Sequence, residues 1–367
     1  MCPYPPQGAG VASFLGLLDT PVSYAGEAQR GARVNVTENA IEFSPMAAER
    51  TFPSFVTTAL YNAIKADAWE DLDCGVGAAW VYIKCEVAGP GGAIKILFRP
   101  NGETAAIHNA SFMNGLFSAG KTITYIMCPT DSGGIVEWRC DAGANAITLT
   151  LLGYWPNPPM PEVQLFTGLT VNAWQTLAVG VPHALCILRM TCNAIPGGFV
   201  NYLFRMTDDT EECEYGVEWA QQVGVGSIAY VLISTDGDGN VHYKFPPDNQ
   251  DVTIDLHSYI LGPEFTDIML YSGAYPAAYQ DLPTPFGKCF MLVKEIHTLA
   301  GGFPTTSFRQ NGEARSLIHA SENCLCTMGP ALNSMAYHFV LLDSYGICEW
   351  EGSAAMSCEL KAKLISR

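Results

Sequence analysis

Charge is what this chain has least of. Asp, Glu, Lys and Arg make up only 15% of its 367 residues, against roughly 25% in a typical soluble domain. The balance is lopsided as well: 19 Lys and Arg face 36 Asp and Glu, for a formal net charge of -17. A phosphate backbone is held by clustered basic residues, so nucleic acid is not an expected partner. No apolar run approaches the about 18 residues of a spanning helix, so no membrane span is expected. The opening MCPYPPQGAG has neither the basic stretch nor the apolar core of a secretion signal, and none is expected. Also missing are G-x-S-x-G, the P-loop and the dinucleotide-binding glycine fingerprint. There is no C-x-x-C, and the seven histidines are scattered with no pair at i, i+4. The sequence therefore proposes no catalytic residue, no cofactor and no metal site, and the chain is expected not to be an enzyme.

What is abundant is apolar and turn-forming. Hydrophobic residues reach 49%, with 35 Gly and 23 Pro. So little polar material covers a surface poorly, which points to burial against other subunits, although large two-sheet cores would give the same composition. The dominant feature is a block that occurs three times: Ala68 to Glu103, Ala173 to Asp209, and Ala278 to Glu313. Each opens on an aromatic (Trp69, Trp174, Tyr279) with a Leu three positions on. Each then carries a Gly-Gly pair and a Phe-Arg pair (Phe98-Arg99, Phe204-Arg205, Phe308-Arg309). Equivalent anchors lie about 105 residues apart, too long for a short-period solenoid and enough for a domain with its own core.

Each block opens a longer repeat unit, whose second half recurs too. YIMCPTDSGGIVEW, YVLISTDGDGNVHY and FVLLDSYGICEW each read as an apolar run, a turn with Asp and Gly, and a run with an aromatic, the pattern of a hairpin. Asp131, Asp236 and Asp343 fall at the equivalent turns. Runs such as AITLTLLGY and VTIDLHSY alternate with period two, as a half-buried strand does. These patterns predict an all-β fold: three tandem antiparallel β-sandwich domains, jelly-roll-like, after an extended N-terminal segment. The expected boundaries are 1–48, 49–160, 161–265 and 266–367, with Pro156 to Pro161 as a stiff connector. Helix formers from Ala59 to Ala68 admit one short helix.

Several side chains are candidates for more than packing. Arg99, Arg205 and Arg309 are read as the only basic residues repeated in all three blocks. They are either ligand or ion-pair contacts or, more simply, outward arginines beside an inward Phe. Asp236-Gly237-Asp238-Gly239-Asn240 resembles the start of a calcium loop but lacks the later acidic ligand, so a tight turn is expected. Asp208-Asp209 with Glu211-Glu212 is expected to be a solvated loop. Trp80, Trp155 and Trp219 either stack on sugar rings or belong to the core. The 13 cysteines leave two readings open: buried free thiols, or disulfides formed outside the reducing cytosol, with Cys2 free to bridge subunits.

Residues 14–43 carry a resemblance. Phe14, Leu15, Asp19, Thr20, Pro21, Tyr24, Gly26, Gly31, Val34, Asn35, Glu42 and Phe43 match a short module of tailed-bacteriophage fibre proteins. In that module a Phe-Leu and Asp-Thr-Pro run leads to Tyr-x-Gly, Val-Asn and Glu-Phe. The first repeat unit, from Trp69 through Gly-Ile-Val-Glu-Trp to Leu152-Gly153-Tyr154-Trp155, is similar to β-sandwich modules of phage tail and head-fibre proteins. The resemblance implies a virion structural protein, a fibre, collar or head-decoration subunit, assembled in the bacterial host cytoplasm. It further implies a homotrimer attached through Phe14, Leu15, Asp19, Thr20, Pro21, Tyr24, Val34, Asn35 and Phe43. The implied partners are itself, other virion proteins of capsid, neck or tail, and a host surface glycan if the chain is instead a carbohydrate-binding receptor tip.

Overall fold

The computed structural model describes residues 30–34, 41–45, 53–65, 67–89, 94–104, 114–117, 120–140, 145–194, 199–210, 215–216, 218–221, 227–245, 251–261, 264–297, 306–313, 326–327, 335–352 and 357–366. Residues 1–50 form one unit and residues 51–367 a second, compact one. In the first unit, β1 (Arg30–Val34) and β2 (Ile41–Pro45) pair antiparallel, with Ala32 opposite Phe43 and Val34 opposite Ile41.

The second unit is all-β among the described residues. The first repeat supplies β3 (Ser54–Lys65), β4 (Glu70–Asp73), β5 (Ala79–Gly89), β6 (Ile94–Pro100), β7 (Asn114–Phe117), β8 (Gly120–Pro129), β9 (Ile135–Cys140) and β10 (Asn145–Pro156). They form two four-stranded antiparallel sheets, ordered β3-β10-β5-β8 and β4-β9-β6-β7. Eight strands divided in this interleaved order are a jelly roll. The second repeat supplies β11 (Val163–Leu169), β12 (Gln175–Ala178), β13 (Ala184–Ala194), β14 (Phe199–Arg205), β15 (Tyr215–Gly216), β16 (Glu218–Gln221), β17 (Ser227–Ser234), β18 (Asn240–Lys244) and β19 (Asp251–Leu261). Its sheets have the same order, β11-β19-β13-β17 and β12-β18-β14-β16. The third supplies β20 (Glu264–Ala274), β21 (Gln280–Pro283), β22 (Phe290–His297), β23 (Thr306–Gln310), β24 (Cys326–Thr327), β25 (Met335–Leu341), β26 (Ile347–Gly352) and β27 (Ser357–Ser366). It repeats the order as β20-β27-β22-β25 and β21-β26-β23, while β24 pairs with β15 of the second repeat.

The strands alternate where one face is wet and stop alternating where both are covered. In β9 only every second residue is buried, and Val136, Trp138 and Cys140 are the ones that point inward. In β22 all eight residues are buried. A sheet strand without an exposed face needs a cover on each side. One cover is the strand's own second sheet; the other is a neighbouring repeat. One continuous apolar cluster accordingly runs through the first two sandwiches and takes in Phe290, Leu292, Met335, Tyr337 and Leu341 of the third. At its densest point Phe290 lies 4.3 Å from Trp155, 5.0 Å from Tyr82 and 5.4 Å from Phe55, centroid to centroid. Gly153 lets this ring in, because a Cβ there would come 3.1 Å from Phe290 and 3.0 Å from the Ser54 carbonyl.

One expectation is corrected here, and one open pair of readings is decided. Residues admitted as a short helix from Ala59 lie in β3, a 12-residue strand paired to β10 from Lys65 back to Ser54. Ladder pairing along a long neighbouring strand outweighs the modest helix propensity of alanine. Trp80 and Trp155 are completely buried, so neither offers a face to a sugar; the Trp219 side chain lies outside the described residues. The nine described cysteines are all buried free thiols, and burial raises the pKa of those at 74 and 348 to about 12. Cys2, Cys213 and Cys324 lie outside the described residues, as does the side chain of Cys326.

Candidate functional site

The polar residues that recur at the turns and Phe-Arg pairs of all three repeats have definite jobs. The turn aspartates come first. Asp131 Oδ1 accepts the N–H groups of Gly133 and Ile135, at 2.8 and 2.9 Å. Asp236 does the same for Asp238 and Asn240, and Asp343 for Tyr345 and Ile347. The other carboxylate oxygen reaches the loop two residues beyond each Phe-Arg pair. Asn101 donates to Asp131 at 2.7 Å, Thr207 to Asp236 at 2.6 Å and Asn311 to Asp343 at 2.8 Å. The second block loses Asn-Gly at this place, yet its Thr hydroxyl makes the same bond. Asp236-Gly-Asp-Gly-Asn is thus a self-bonded turn, and no cluster able to hold a metal occurs among the described residues.

These bonds act on the carboxyls. Asp131 is held below the ordinary aspartate range, first by the Ile135 N–H and then by Asn101. At Asp343 burial is the largest influence and opposes the shift, but Asn311 and the N–H groups of Ile347 and Tyr345 together carry the carboxyl below its usual value. A carboxyl lowered on folding stabilises the fold above its unfolded pKa and stops doing so as pH falls through the folded one. Asn311→Ala is therefore expected to lose about 0.5 kcal/mol at neutral pH. In thermal melts, the gap from the wild type should close below about pH 4. A gap that widens toward acid would contradict the assignment. Asp209, which burial pushes the other way, is common to both proteins.

The repeated arginines are clamped. Arg99 Nε donates to Glu137 at 2.7 Å and its guanidinium lies 4.0 Å over Trp69. Arg309 pairs with Glu349 at 2.6 Å and lies 3.6 Å over Tyr279. Arg205 lies 4.1 Å over Trp174, with His242 opposite it in the ladder where the other repeats have Glu. The aromatic that opens each block is thus the platform for its Arg, a cation–π contact. The reading of a merely outward arginine is corrected.

A second repeated cation went unseen in the sequence. Lys84, Arg189 and Lys294 occupy the same place in β5, β13 and β22, so the Phe-Arg arginines are not the only basic residues present in every block. Each pairs with the acid four residues past the Phe-Arg arginine of a neighbouring repeat. Arg189 holds Glu103 at 2.9 Å, Lys294 holds Asp209, and Lys84 holds Glu313 at 3.0 Å. Tyrosines at one position of β8, β17 and β25 join them. Tyr230 donates to Glu103 at 3.3 Å, Tyr337 donates to Asp209, and Tyr125 accepts the Gln310 N–H at 3.2 Å. The second repeat thus grips the first, the third grips the second, and the first grips the third. Head-to-tail contacts of one kind that return to their start make a closed ring, here within a single chain. We refer to the joints between repeats 1 and 2, 2 and 3, and 3 and 1 as the first, second and third.

The joints are not equal. In the second, Asp209 and Lys294 have side chains only 1% and 5% exposed; Lys363 adds contacts at 2.8 Å to Asp208 and 3.5 Å to Asp209. Burial pushes the Asp209 carboxyl up and the lysines pull it part of the way back. The expectation of a solvated Asp208-Asp209 loop fails at Asp209, because the loop turns into the joint; residues 211–212 lie outside the described residues. In the first joint a cleft of about 490 Å³ opens, lined by Glu103, Glu162, Arg189, Tyr230, Asp255 and His257 among others. Arg189 Nη1 is 3.6 Å from Asp255, and His257 Nδ1 is 4.0 Å from Glu162.

Of the residues expected to attach the chain, Val34 lies in β1 and Phe43 in β2. Phe14, Leu15, Asp19, Thr20, Pro21, Tyr24 and Asn35 lie outside the described residues. No helix among the described residues is long and apolar enough to cross a membrane. No known family's sequence pattern matches the chain, and no curated protein is detectably similar to it. The joints had a signal: the cation stands at one fixed offset from each block's opening aromatic, and the acid at one fixed offset from each Phe-Arg.

Proposed function

We propose that the chain is a non-enzymatic structural subunit of a bacteriophage virion, a fibre, collar or head-decoration component anchored through its N-terminal segment. The observation that carries this reading is how the thrice-repeated residues are used. Asp131, Arg99, Lys84 and their counterparts go to turns, clamps and joints, which builds a rigid body rather than a reaction centre. The fibre-like motif of residues 14–43 gives that body its setting. Assembly into a homotrimer through the same segment, and contact with capsid, neck or tail proteins, belong to the proposal. Locating the chain by electron microscopy on the particle tests it. Density at a fixed, symmetric position contacting other virion proteins is the expected result. Particles that lack the chain, or purified protein that cleaves a glycan, would overturn it.

The alternative, a carbohydrate-binding tip, is favoured by one observation: the polar cleft of the first joint.

A further inference from the structure

The three joints are versions of one another, so what differs between them is informative. A bulge falls at the same place in each repeat, where β10, β19 and β27 pass β5, β13 and β22. The extra residue is Leu152, His257 or Lys363. Bulges re-aim a side chain without disturbing the rest of a ladder, and here the re-aimed residue belongs to the joint. In the third joint it is apolar, and the space beside Tyr82, Tyr125 and Phe339 is only about 10 Å³. In the second it is Lys363, whose ammonium meets Asp208 and Asp209. Another cation, Lys361, stands where the first joint has Asp255, each opposite the strand's joint cation in the ladder.

The first joint has His257 and Asp255 at the places of these two lysines. Among the described residues Glu103, Glu162 and Asp255 line it with Arg189 as the one cation, so three described carboxylates face one guanidinium, an excess of two negative charges. His257 does not make up the difference. It is 6% exposed, its Nε2 has no hydrogen-bond partner among the described residues, and burial lowers its pKa. Burial likewise raises the pKa of Asp255, Arg189 opposes the rise and Glu162 adds a little to it. The cleft's size is within the about 300–1,000 Å³ of small-molecule sites. Gln164, Asn101 and Tyr230 add amide and hydroxyl groups to its wall.

We infer that the first joint is a binding site for a small polyhydroxylated primary ammonium, an amino sugar in chemical class, whose ammonium stands where Lys363 brings its own in the second joint. Glu162 and Asp255 receive the ammonium, and the amide and hydroxyl groups of the wall take the hydroxyls. Glu103 is already held by Arg189 and Tyr230 and fixes the floor. The inference does not depend on the protein's place in a virion.

Titration of the full chain with glucosamine, followed by calorimetry and by ligand-observed NMR, tests it, with glucose as the uncharged comparison. Glucosamine is expected to bind with a dissociation constant on the order of 1 mM, and glucose at least tenfold more weakly. Glu162→Gln and Asp255→Asn should each weaken glucosamine about tenfold. His257→Lys, which copies the third repeat, should abolish binding by supplying the cation from within. Unchanged thermal melts show that each variant is folded, and the exposed Glu162 makes its variant the safest on that count. Absence of glucosamine binding, equal binding of glucose, or binding indifferent to folded Glu162→Gln and His257→Lys would each overturn the assignment.

Discussion

Asp209→Ala is expected to cost about 3–5 kcal/mol of folding stability, because it leaves the buried Lys294 ammonium without its carboxylate. Tyr337 loses its acceptor at the same time, whereas Lys363 keeps Asp208 at 2.8 Å. The raised pKa of Asp209 shows that burial takes more from this carboxylate than its lysines return. A double variant, Asp209→Leu with Lys294→Met, should therefore recover most of the loss, since removing both charges removes the desolvation cost as well. Glu313→Ala, at the wetter third joint, where the pair is 17% and 13% exposed, should cost well under half as much. Denaturant unfolding measures all three. Equal losses for Asp209→Ala and Glu313→Ala would refute the ranking of the joints.

Phe290→Ala should cost a further about 3–5 kcal/mol, the usual range for removing a fully buried aromatic. The ring touches Trp155, Tyr82, Phe55 and Phe339, residues of two repeats that close the third joint. The cavity therefore opens between sandwiches and not inside one, and the melting temperature should fall by about 5 °C. Phe290→Leu fills most of the space and should lose less than half of this. A drop below about 1 kcal/mol for the alanine variant would show that the joint can collapse onto the gap.

The sandwiches were legible because each is written locally. Period-two alternation, Asp-Gly turns and the aromatic that opens every block are short-range signals, and three copies raise them above noise. Two local signals misled. Alanines at 59 and 63 suggested a helix where β10 dictates a strand, and Asp208-Asp209 read as solvated because acidic pairs usually are. The joints were harder. Pairing Lys294 with Asp209 requires knowing that a face of β22 and a loop after β14 meet, and that follows from how whole domains dock. Only the fixed spacing of the cations hinted that the strand's second face was not solvent. The cleft was not legible at all, since a void is defined by side chains that fall short: His257 where the next joint has Lys363.

The ring's closure within one chain also changes how it comes apart. A ring of three separate subunits obeys mass action, so dilution alone will open it. Here each joint's two halves stay tethered, at effective concentrations on the order of millimolar. A joint that breathes open recloses by a first-order step whose rate is the same at any dilution. Rupture of one joint still leaves two, and neither neighbour can diffuse away. Such a body loses its shape only by unfolding, however far it is diluted.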